Sequence, residues 1–315
     1  IDSIAQSEGW DNLLDPMIAA IHKCENNSGP YCAAPVNIHR IDWMWANKAV
    51  FDANGISVPT TWDELNAAAE KLKAAGIIPF AHGGQAWQDA TVFEAVAMGL
   101  GGNNYYKNCY VDLKESCLRS ETTVKVFDQM RKLQGYTDEG SPGRDWNVAT
   151  GMVIEGKAGF QIMGDWAKGE FTAAGKVPGV DYYCAATPSN NGYLYNVDSF
   201  IFYKSSDPDK QAGQQLLAKL MMGKNFQKVF NLYKGSIPAR LDVSMDEFDK
   251  CAKTSNADIK TAGAKGGLVP SFAHGMAQGN TMKAALQDII TEHFNSDMSS
   301  VDAANALADS VLANM

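Results

Sequence analysis

The sequence predicts an α/β fold, because helical and extended segments alternate along much of the chain. Thr61-Trp-Asp-Glu64 has the spacing of a capping box, in which Thr61 and Glu64 satisfy each other's free backbone N–H groups. The predicted helix ends at Gly76, and the short apolar strand 77–81 follows directly. A helix joined to a strand by a short link is the unit that α/β proteins repeat.

The same alternation continues toward the C-terminus. Helices are predicted at 122–133, 147–155, 207–222, 277–294 and 301–313, and strands at 159–163, 182–186 and 195–203. Residues 2–23 are predicted to be helical with a break at Pro16, 31–38 to be extended, and 41–53 to be amphipathic. Few strands precede residue 77, so the first part of the chain has little from which to build a sheet.

Composition limits the classes of function. The chain has 315 residues, of which 45% are apolar, and a net charge of -9. This length favours two domains. The acidic balance disfavours nucleic acid and anionic membranes as partners. No run of 18 apolar residues occurs, so the sequence predicts no membrane-spanning helix.

The six cysteines favour an oxidising compartment, with six buried thiols in a cytosolic protein as the alternative. Cys24 and Cys32 are eight residues apart, as are Cys109 and Cys117, and such spacings fit disulfides that close short loops. Cys184 and Cys251 would then pair by elimination. No two cysteines lie two to four residues apart, so we expect no zinc site.

The common catalytic motifs are absent from the sequence. It has no Gly-x-Ser-x-Gly elbow, no His-Glu-x-x-His and no Gly-Lys-Ser/Thr phosphate loop. Asp165 and Glu170 could serve as a glycosidase pair, but their spacing in sequence does not establish the distance in space that this chemistry requires. We therefore expect neither an enzyme nor a bound cofactor or metal.

Aromatic residues near polar loops point instead to sugar binding. Indole rings pack on the C–H faces of a sugar, while polar side chains bond its hydroxyls. Trp166 follows the predicted strand 159–163, and the carboxyl ends of strands face the ligand in α/β sheets. The alternative is that Trp166 fills the core, as most tryptophans do.

Several polar residues are further candidates, each with a structural alternative. Asp198 lies in an apolar segment, where a carboxylate is costly to bury unless it is hydrogen-bonded; otherwise it ends a strand and faces solvent. Lys234 could equally be a surface lysine, and His274 a structural or exposed histidine. His39 and Trp146 are equally ambiguous.

Six motifs carry a family resemblance, and the most specific part is Met-Gly-Asp-Trp combined with Lys-Gly-Ser-Ile and Ala-His-Gly in this order and spacing. The six motifs are Ala34-Pro-Val-Asn-Ile-His-Arg40, Pro59-Thr-Thr-Trp-Asp-Glu64, Gly156-Lys-Ala-Gly-Phe-Gln-Ile-Met-Gly-Asp-Trp166, Asp198-Ser-Phe200, Lys234-Gly-Ser-Ile-Pro-Ala-Arg240 and Ala273-His-Gly275. Over essentially its whole length, the chain resembles the glucose-binding branch of the extracellular solute-binding proteins of ABC sugar importers, distantly like maltose-binding protein.

The resemblance implies a two-lobed periplasmic-binding-protein type II fold with a hinge. It assigns 1–36 to part of the N-terminal lobe, 37–196 to the C-terminal lobe, 197–235 to a return to the first lobe, and 236–315 to a helical tail packing on both. It also implies a periplasmic, extracytoplasmic monomer without a cofactor. This protein would bind a monosaccharide, glucose or a close epimer, with high affinity and deliver it to the membrane permease of an ABC transporter.

The resemblance also implies roles for individual residues. Trp166 would stack on the sugar, and Trp146 would line the site. Asp198 would accept hydrogen bonds from hydroxyls, while Lys234 and His274 would donate them. His39, on the segment that crosses between lobes, is a less certain contact, and the resemblance supports the pairing of Cys184 with Cys251.

One departure from the family pattern concerns the N-terminus. Relatives carry a further stretch before the residue that aligns with Ile1, and residues 1–10 do not have the features of a secretion signal. We therefore expect the first lobe to be incomplete at its N-terminus, which would weaken sugar binding. Two other functions stay open: a secreted carbohydrate-active enzyme that uses Asp165 or Glu170, and a sugar-sensing receptor module.

Overall fold

The computed structural model describes residues 1–188 and 192–315. Its helices are α1 (Asp2–Ser7), α2 (Trp10–Leu13), α3 (Pro16–Ile21), α4 (Cys24–Asn27), α5 (Lys48–Ala53), α6 (Trp62–Ala74), α7 (Ala86–Tyr106), α8 (Glu115–Leu118), α9 (Glu121–Gln134), α10 (Trp146–Ile154), α11 (Ala167–Ala173), α12 (Pro208–Met221), α13 (Lys224–Lys234), α14 (Lys250–Ala264), α15 (Asn280–Asn295) and α16 (Ser300–Ala313). Its strands are β1 (Ala33–Pro35), β2 (His39–Arg40), β3 (Trp43–Asn47), β4 (Ile78–Phe80), β5 (Ala158–Ile162), β6 (Tyr182–Ala186), β7 (Tyr193–Asn196), β8 (Ser199–Ile201) and β9 (Leu268–Pro270).

The α/β alternation is confirmed, and so are the local signals that set several element ends. The Thr61 hydroxyl accepts from the backbone N–H of Glu64 at 3.2 Å, and the Glu64 carboxylate accepts from that of Thr61 at 3.3 Å. Pro16 begins a new helix, and the Asp15 carboxylate accepts from its first turn at 2.9 Å. Each of these ends is fixed by residues close in sequence.

The chain divides into two compact units. Residues 1–39 and 197–253 form the first unit, and 40–196 and 254–315 form the second. The expected tail 236–315 is therefore split at 253/254. Residues just after 235 belong to the first unit because Gln227 accepts from the backbone N–H of Ala239 at 2.9 Å. The last two helices, α15 and α16, pack on α7 and α9 of the second unit.

The second unit is built on a four-stranded sheet with the order β4-β5-β3-β6. Strand β3 pairs antiparallel with β5 and β6, and β4 pairs parallel with β5. The amphipathic segment expected at 41–53 is wrong, because Trp43 to Ala46 are all buried. Both faces of β3 are covered, so its sequence is continuously apolar rather than alternating.

Helix α7 forms the centre of the helical layer of the second unit. Residues Gln88 to Met98 of α7 are all buried, and the helix packs against α9 and α15. Phe93 lies 5.0 Å from Phe127 and 6.3 Å from Phe272, measured between ring centroids. Burying one such side chain contributes roughly 1.5–3 kcal/mol. These buried contacts hold α7 against α9 and α15 within the second unit.

In the first unit, β1 and β8 form a two-stranded antiparallel sheet that pairs Pro35 with Ser199. The single strand predicted at 195–203 is wrong. The chain forms two short strands, β7 and β8, which are interrupted at Val197 and Asp198. Strand β7 pairs with β9 in the second unit, whereas β8 pairs with β1, so the two strands belong to different sheets.

The first unit also has a cluster of exposed apolar side chains on β8, α12 and α13. Ile201 is 64% exposed, Leu216 is 70% exposed and Leu220 is 57% exposed. This cluster lies in the lobe for which the resemblance predicts further N-terminal residues. That incompleteness stays a prediction.

The structure contains the two local disulfides, Cys24–Cys32 and Cys109–Cys117. Cys184 and Cys251 are also disulfide-bonded, and their pairing with each other stays a prediction. Across 1–188 and 192–315, no helix has both the length and the apolar character needed to cross a bilayer. Within the same ranges, no group of acidic, histidine or cysteine side chains is arranged to hold a metal ion.

Candidate sugar-binding site

The first unit brings together Asn37, His39, Asp198 and Lys234, which we call the polar cluster. The chain around Asp198 runs alongside the segment that follows β1. The backbone N–H of Asp198 donates to the Asn37 side-chain oxygen at 2.8 Å, and the Asp198 carbonyl accepts from the Val36 N–H at 2.9 Å. The break between β7 and β8 therefore fixes the position of this carboxylate.

Lys234 reaches the polar cluster from the end of α13. Gly235 ends this helix with a φ of 96°, a conformation that favours glycine. The chain then bonds to Ile38, whose N–H donates to the Ile237 carbonyl at 2.8 Å. This turn leaves the Lys234 ammonium 3.7 Å from an Asp198 carboxylate oxygen.

The Asp198 carboxylate is the acceptor of the polar cluster. It accepts from His39 Nε2 at 3.0 Å and from the Asn37 amide at 3.0 Å. A carboxylate only accepts, so His39 carries its hydrogen on Nε2. Burial raises the pKa of Asp198, but the hydrogen bond and charge of His39, the Asn37 amide and Lys234 outweigh it, so the pKa lies well below its usual range. Asp198 is therefore a charged acceptor at neutral pH.

The second unit brings together Trp87, Trp166 and His274, which we call the aromatic cluster. The ring centroids of Trp87 and Trp166 are 6.3 Å apart. His274 lies 5.9 Å from Trp87 and 5.1 Å from Trp166, with its ring edge-on to both. All three residues are half-buried. Half-buried indoles offer apolar surface next to water, which suits an amphipathic ligand such as a sugar.

Trp166 is positioned by the end of strand β5, as the sequence predicts. Beyond β5, the backbone N–H of Asp165 donates to the Arg40 carbonyl at 2.9 Å, and the Asp165 carboxylate accepts the Arg40 N–H at 2.9 Å. The indole then folds back over Gly164, where an added Cβ would lie 2.2 Å from the ring. Glycine at this position leaves the space that the ring occupies.

Trp87 and His274 come from distant parts of the chain. Trp87 lies in the first turn of α7, and its indole N–H donates to the Gln85 side chain at 2.8 Å. His274 follows β9, and its Nε2 lies 3.1 Å from the hydroxyl of Thr91. One turn of α7 thus carries both Trp87 and the partner of His274.

Trp146 begins α10, and its place relative to the aromatic cluster is indirect. The Asp145 carboxylate accepts from Gln85 at 2.6 Å, which ties the start of α10 to the start of α7. The Trp146 ring is half-buried, and among the described residues it makes no ring contact with Trp87 or Trp166. Its role in lining the site stays a prediction.

Of the two carboxylates considered for glycoside hydrolysis, Asp165 is the one with a defined structural contact. Asp165 is 3% exposed and holds the backbone N–H of Arg40. Glu170 lies on α11 and is half-buried. The contact of Asp165 therefore fits a structural role at the end of β5.

Asn37, Trp87 and Thr91 were not among the residues predicted from the sequence. Asn37 lies inside the quoted motif 34–40, so its position two residues before His39 was the available signal. Trp87 lies three residues after Gly83-Gly84, so a tryptophan just after a glycine-containing loop was the available signal. Thr91 has no signal in the sequence, because its role depends on a contact with a residue 183 positions away.

An α/β chain of two units, with half-buried indoles in one and a charged acceptor in the other, has the features of a solute-binding protein. The chain belongs to the family described as bacterial extracellular solute-binding proteins, whose family model matches residues 1–221. This membership assigns the chain to a class that binds solutes outside the cytoplasm rather than to an enzyme class.

Two relatives are similar over almost the whole chain. One, from Brucella suis biovar 1 (strain 1330), is 46% identical over 312 residues, covering 99% of this chain and 73% of that protein. Another, from Rhizobium meliloti (strain 1021), is 44% identical over 312 residues, covering 99% of this chain and 74% of that protein. Both are named "Probable sugar-binding periplasmic protein". These names agree with the expected extracytoplasmic location.

A solved structure confirms the fold class. The bacterial solute receptor AcbH, described as having an exclusive preference for β-D-galactopyranose, superposes with a TM-score of 0.84. The match covers 99% of this chain and 79% of AcbH, at 18% identity. At this identity the likeness shows the shared fold and leaves the ligand open.

Proposed function

We propose that this chain is the periplasmic sugar-binding protein of an ABC importer, and that it delivers its sugar to the membrane permease. The observation that carries the proposal is the aromatic cluster, in which two half-buried indoles flank an imidazole. The names of the two relatives at 46% and 44% identity support the sugar as the ligand class. Like them, the chain would act outside the cytoplasm, and we take it to be a monomer.

The chemistry of the two clusters suits a neutral sugar. The indole of Trp166 would stack on a C–H face of the ring, and Trp87 would extend that apolar surface. In the first unit, the charged Asp198 would accept from sugar hydroxyls and Lys234 would donate to them. A neutral ligand needs no net charge opposite it, and a few convergent polar groups suffice for orientation.

His39 has a different proposed role from the one first expected. Its side chain is 2% exposed, and its Nε2 donates to Asp198. We propose that His39 positions the carboxylate, together with Asn37, rather than touching the sugar. Trp146 is proposed to line the site from the start of α10.

We further propose that the ligand is a monosaccharide, either glucose or a close epimer. The support is the set of motifs shared with the glucose-binding branch, above all the segments that end in Trp166 and that contain Lys234 and His274. Epimers differ in the direction of one hydroxyl, and one or two polar contacts decide between them.

Isothermal titration of the purified protein with glucose, galactose, mannose and xylose tests the proposal. We expect saturable heat with at least one of these sugars. Trp166→Ala should weaken that binding at least tenfold, or about 1.4 kcal/mol. Tyr203→Ala is the control, since this tyrosine is 79% exposed and lies in neither cluster.

The polar cluster is tested separately by Asp198→Asn, which keeps the shape of the side chain and removes its charge. We expect a loss of at least tenfold in affinity for the same sugar. Wild-type affinity in this variant would remove Asp198 from the site, whereas the absence of heat with all four sugars would refute the proposed ligand.

A further inference from the structure

Helices α7 and α10 share an unusual feature at their N-termini. Gln85 is the residue just before α7, and Asp145 is the residue just before α10. A side chain at this position commonly accepts from the free backbone N–H groups of its own helix, and aspartate is among the residues preferred there. Within the described residues, neither Gln85 nor Asp145 makes such a bond. Instead, the Gln85 amide donates to the Asp145 carboxylate at 2.6 Å.

We infer that Gln85 and Asp145 are positioning residues for the sugar site, which hold the first turns of α7 and α10 in one fixed arrangement. Trp87 lies in the first turn of α7, and Trp146 is the first residue of α10. The inference rests on the proposed function for its ligand, a sugar, and adds two residues to which that proposal gives no role. Each of the two acts through the tryptophan that follows it in the chain.

The Gln85 side chain connects the pair to the indole of Trp87. Its oxygen accepts from Trp87 Nε1 at 2.8 Å and from the Gln88 amide at 3.0 Å, while its nitrogen donates to Asp145. A carboxylate only accepts and an indole N–H only donates, so the amide of Gln85 cannot turn over without losing both partners. The orientation of the Trp87 indole is thereby linked to the position of Asp145.

Backbone hydrogen bonds join the two loops beside this pair. The N–H of Gly84 donates to the Ser141 carbonyl at 2.8 Å, and the N–H of Gly143 donates to the Gly84 carbonyl at 3.2 Å. A Cβ added to Gly84 would lie 2.5 Å from the backbone of the facing loop, so this close approach requires glycine. The segments 83–87 and 141–146 are therefore joined through both backbone and side chains, and a shift of one requires a shift of the other.

The start of α10 is also tied to the strand that leads to Trp166. The carbonyl of Trp146 accepts from the side chain of Gln161, on β5, at 3.0 Å. Binding sites commonly hold their contact residues by hydrogen bonds from supporting side chains, because a small displacement weakens the contact. A capping bond given up at both helices is explained if the bond made in its place fixes the indoles.

Exchanging the two functional groups tests the pair, with the sugar among glucose, galactose, mannose and xylose that gives the wild type its largest heat. Gln85→Glu places two carboxylates at hydrogen-bonding distance, where they repel, and should weaken binding at least tenfold. Asp145→Asn keeps an acceptor for Gln85 and should cost less. Gln85→Glu combined with Asp145→Asn reverses the direction of the bond at unchanged net charge, so this double variant should bind within threefold of the wild type.

Gln134→Glu is the matched control, because it makes the same change at an exposed position of the second unit, and it should bind like the wild type. Wild-type affinity in Gln85→Glu overturns the inference. So does a double variant that binds no better than Gln85→Glu, since the effect of Gln85→Glu would then be independent of Asp145.

The indole N–H signal of Trp87 in the NMR spectrum of sugar-free protein gives a second readout, and Trp87→Phe identifies that signal by removing it. Asp145→Ala removes the partner that holds the Gln85 amide in place, so the Trp87 signal should shift by more than its linewidth. Gln134→Glu should leave the signal where it is. An unchanged Trp87 signal in Asp145→Ala overturns the inference.

Failure of the inference and failure of the proposed function are distinguishable. If the Trp87 signal responds as expected and none of the four sugars binds to the wild type, the proposed function fails while the link between Asp145 and Trp87 stands. If a sugar binds and the exchange of groups does not restore affinity, the inference fails while the proposed function stands.

Discussion

Replacing Glu94 by glutamine should change how the stability of the second unit depends on pH. Burial raises the pKa of Glu94 to about 8, against the hydrogen bonds from Ser271, Tyr106 and the backbone, which lower it. A protonated carboxyl can donate to the Ser271 hydroxyl, 2.6 Å away, so the neutral form is accommodated. Glutamine keeps the shape of that neutral form and cannot ionise.

The raised pKa of Glu94 sets the direction and the size of the change in the free energy of unfolding with pH. Between a pKa of 4.5 in the unfolded chain and about 8 in the folded one, the folded protein holds a proton that the unfolded chain has lost. Stability therefore falls as the pH rises through this window, by up to about 1.4 kcal/mol per pH unit. The stabilisation from the proton that Glu94 holds in the folded protein is fully present below pH 4.5 and is lost by pH 8. The total change in the free energy of unfolding is about 5 kcal/mol.

Urea unfolding of the wild type and of Glu94→Gln at several pH values measures this change. The free energy of unfolding of Glu94→Gln, relative to that of the wild type, should rise across the window, because only the wild type has to bury a charge. Glu139→Gln is the matched control, since Glu139 is exposed in the same unit, and its difference from the wild type should stay flat. A constant difference between Glu94→Gln and the wild type would show that Glu94 does not titrate in this window.

Two further changes test the packing behind the site. Gly164→Ala places a Cβ 2.2 Å from the Trp166 ring, so we expect it to cost about 1–3 kcal/mol in urea unfolding and to weaken sugar binding. Gly151→Ala, whose added Cβ meets nothing within 4 Å, should do neither, and equal effects would contradict the reasoning. Replacing Cys109 and Cys117 together by serine opens a loop of eight residues and should cost about 2.5 kcal/mol, whereas an unchanged unfolding midpoint would show that this crosslink does not stabilise the chain.

Local signals in the sequence predicted several elements away from the site, whereas α7, α13, α14 and β9 were not predicted. The helix after Thr61, the helix that begins at Pro208 and the strand 182–186 depend on caps, prolines and apolar runs within a few residues. Trp166 was also found this way, because a strand end can be recognised from its own sequence. Such features are determined by neighbouring residues in the chain, so they can be predicted from the sequence.

The predictions of secondary structure were wrong where a segment pairs with strands that are distant in the sequence, because that pairing outweighs the local pattern of apolar residues. Within 41–53, the residues Trp43 to Ala46 are all apolar and buried because β3 lies inside a sheet whose other strands come from much later in the chain. The strand expected at 195–203 is divided because its halves join different sheets. In both cases the local pattern is compatible with more than one structure, and the pairing partner decides.

The sequence alone established the α/β class and the family, and it predicted Trp166, Asp198, Lys234 and His274 as residues that bind a sugar. Folding sets which groups face each of these side chains. The structure places His39 Nε2 3.0 Å from the Asp198 carboxylate, Trp87 beside Trp166, and the Thr91 hydroxyl 3.1 Å from His274 Nε2. Hydrogen-bond direction depends on which atoms face each other, and residues 183 positions apart can be brought face to face only by folding.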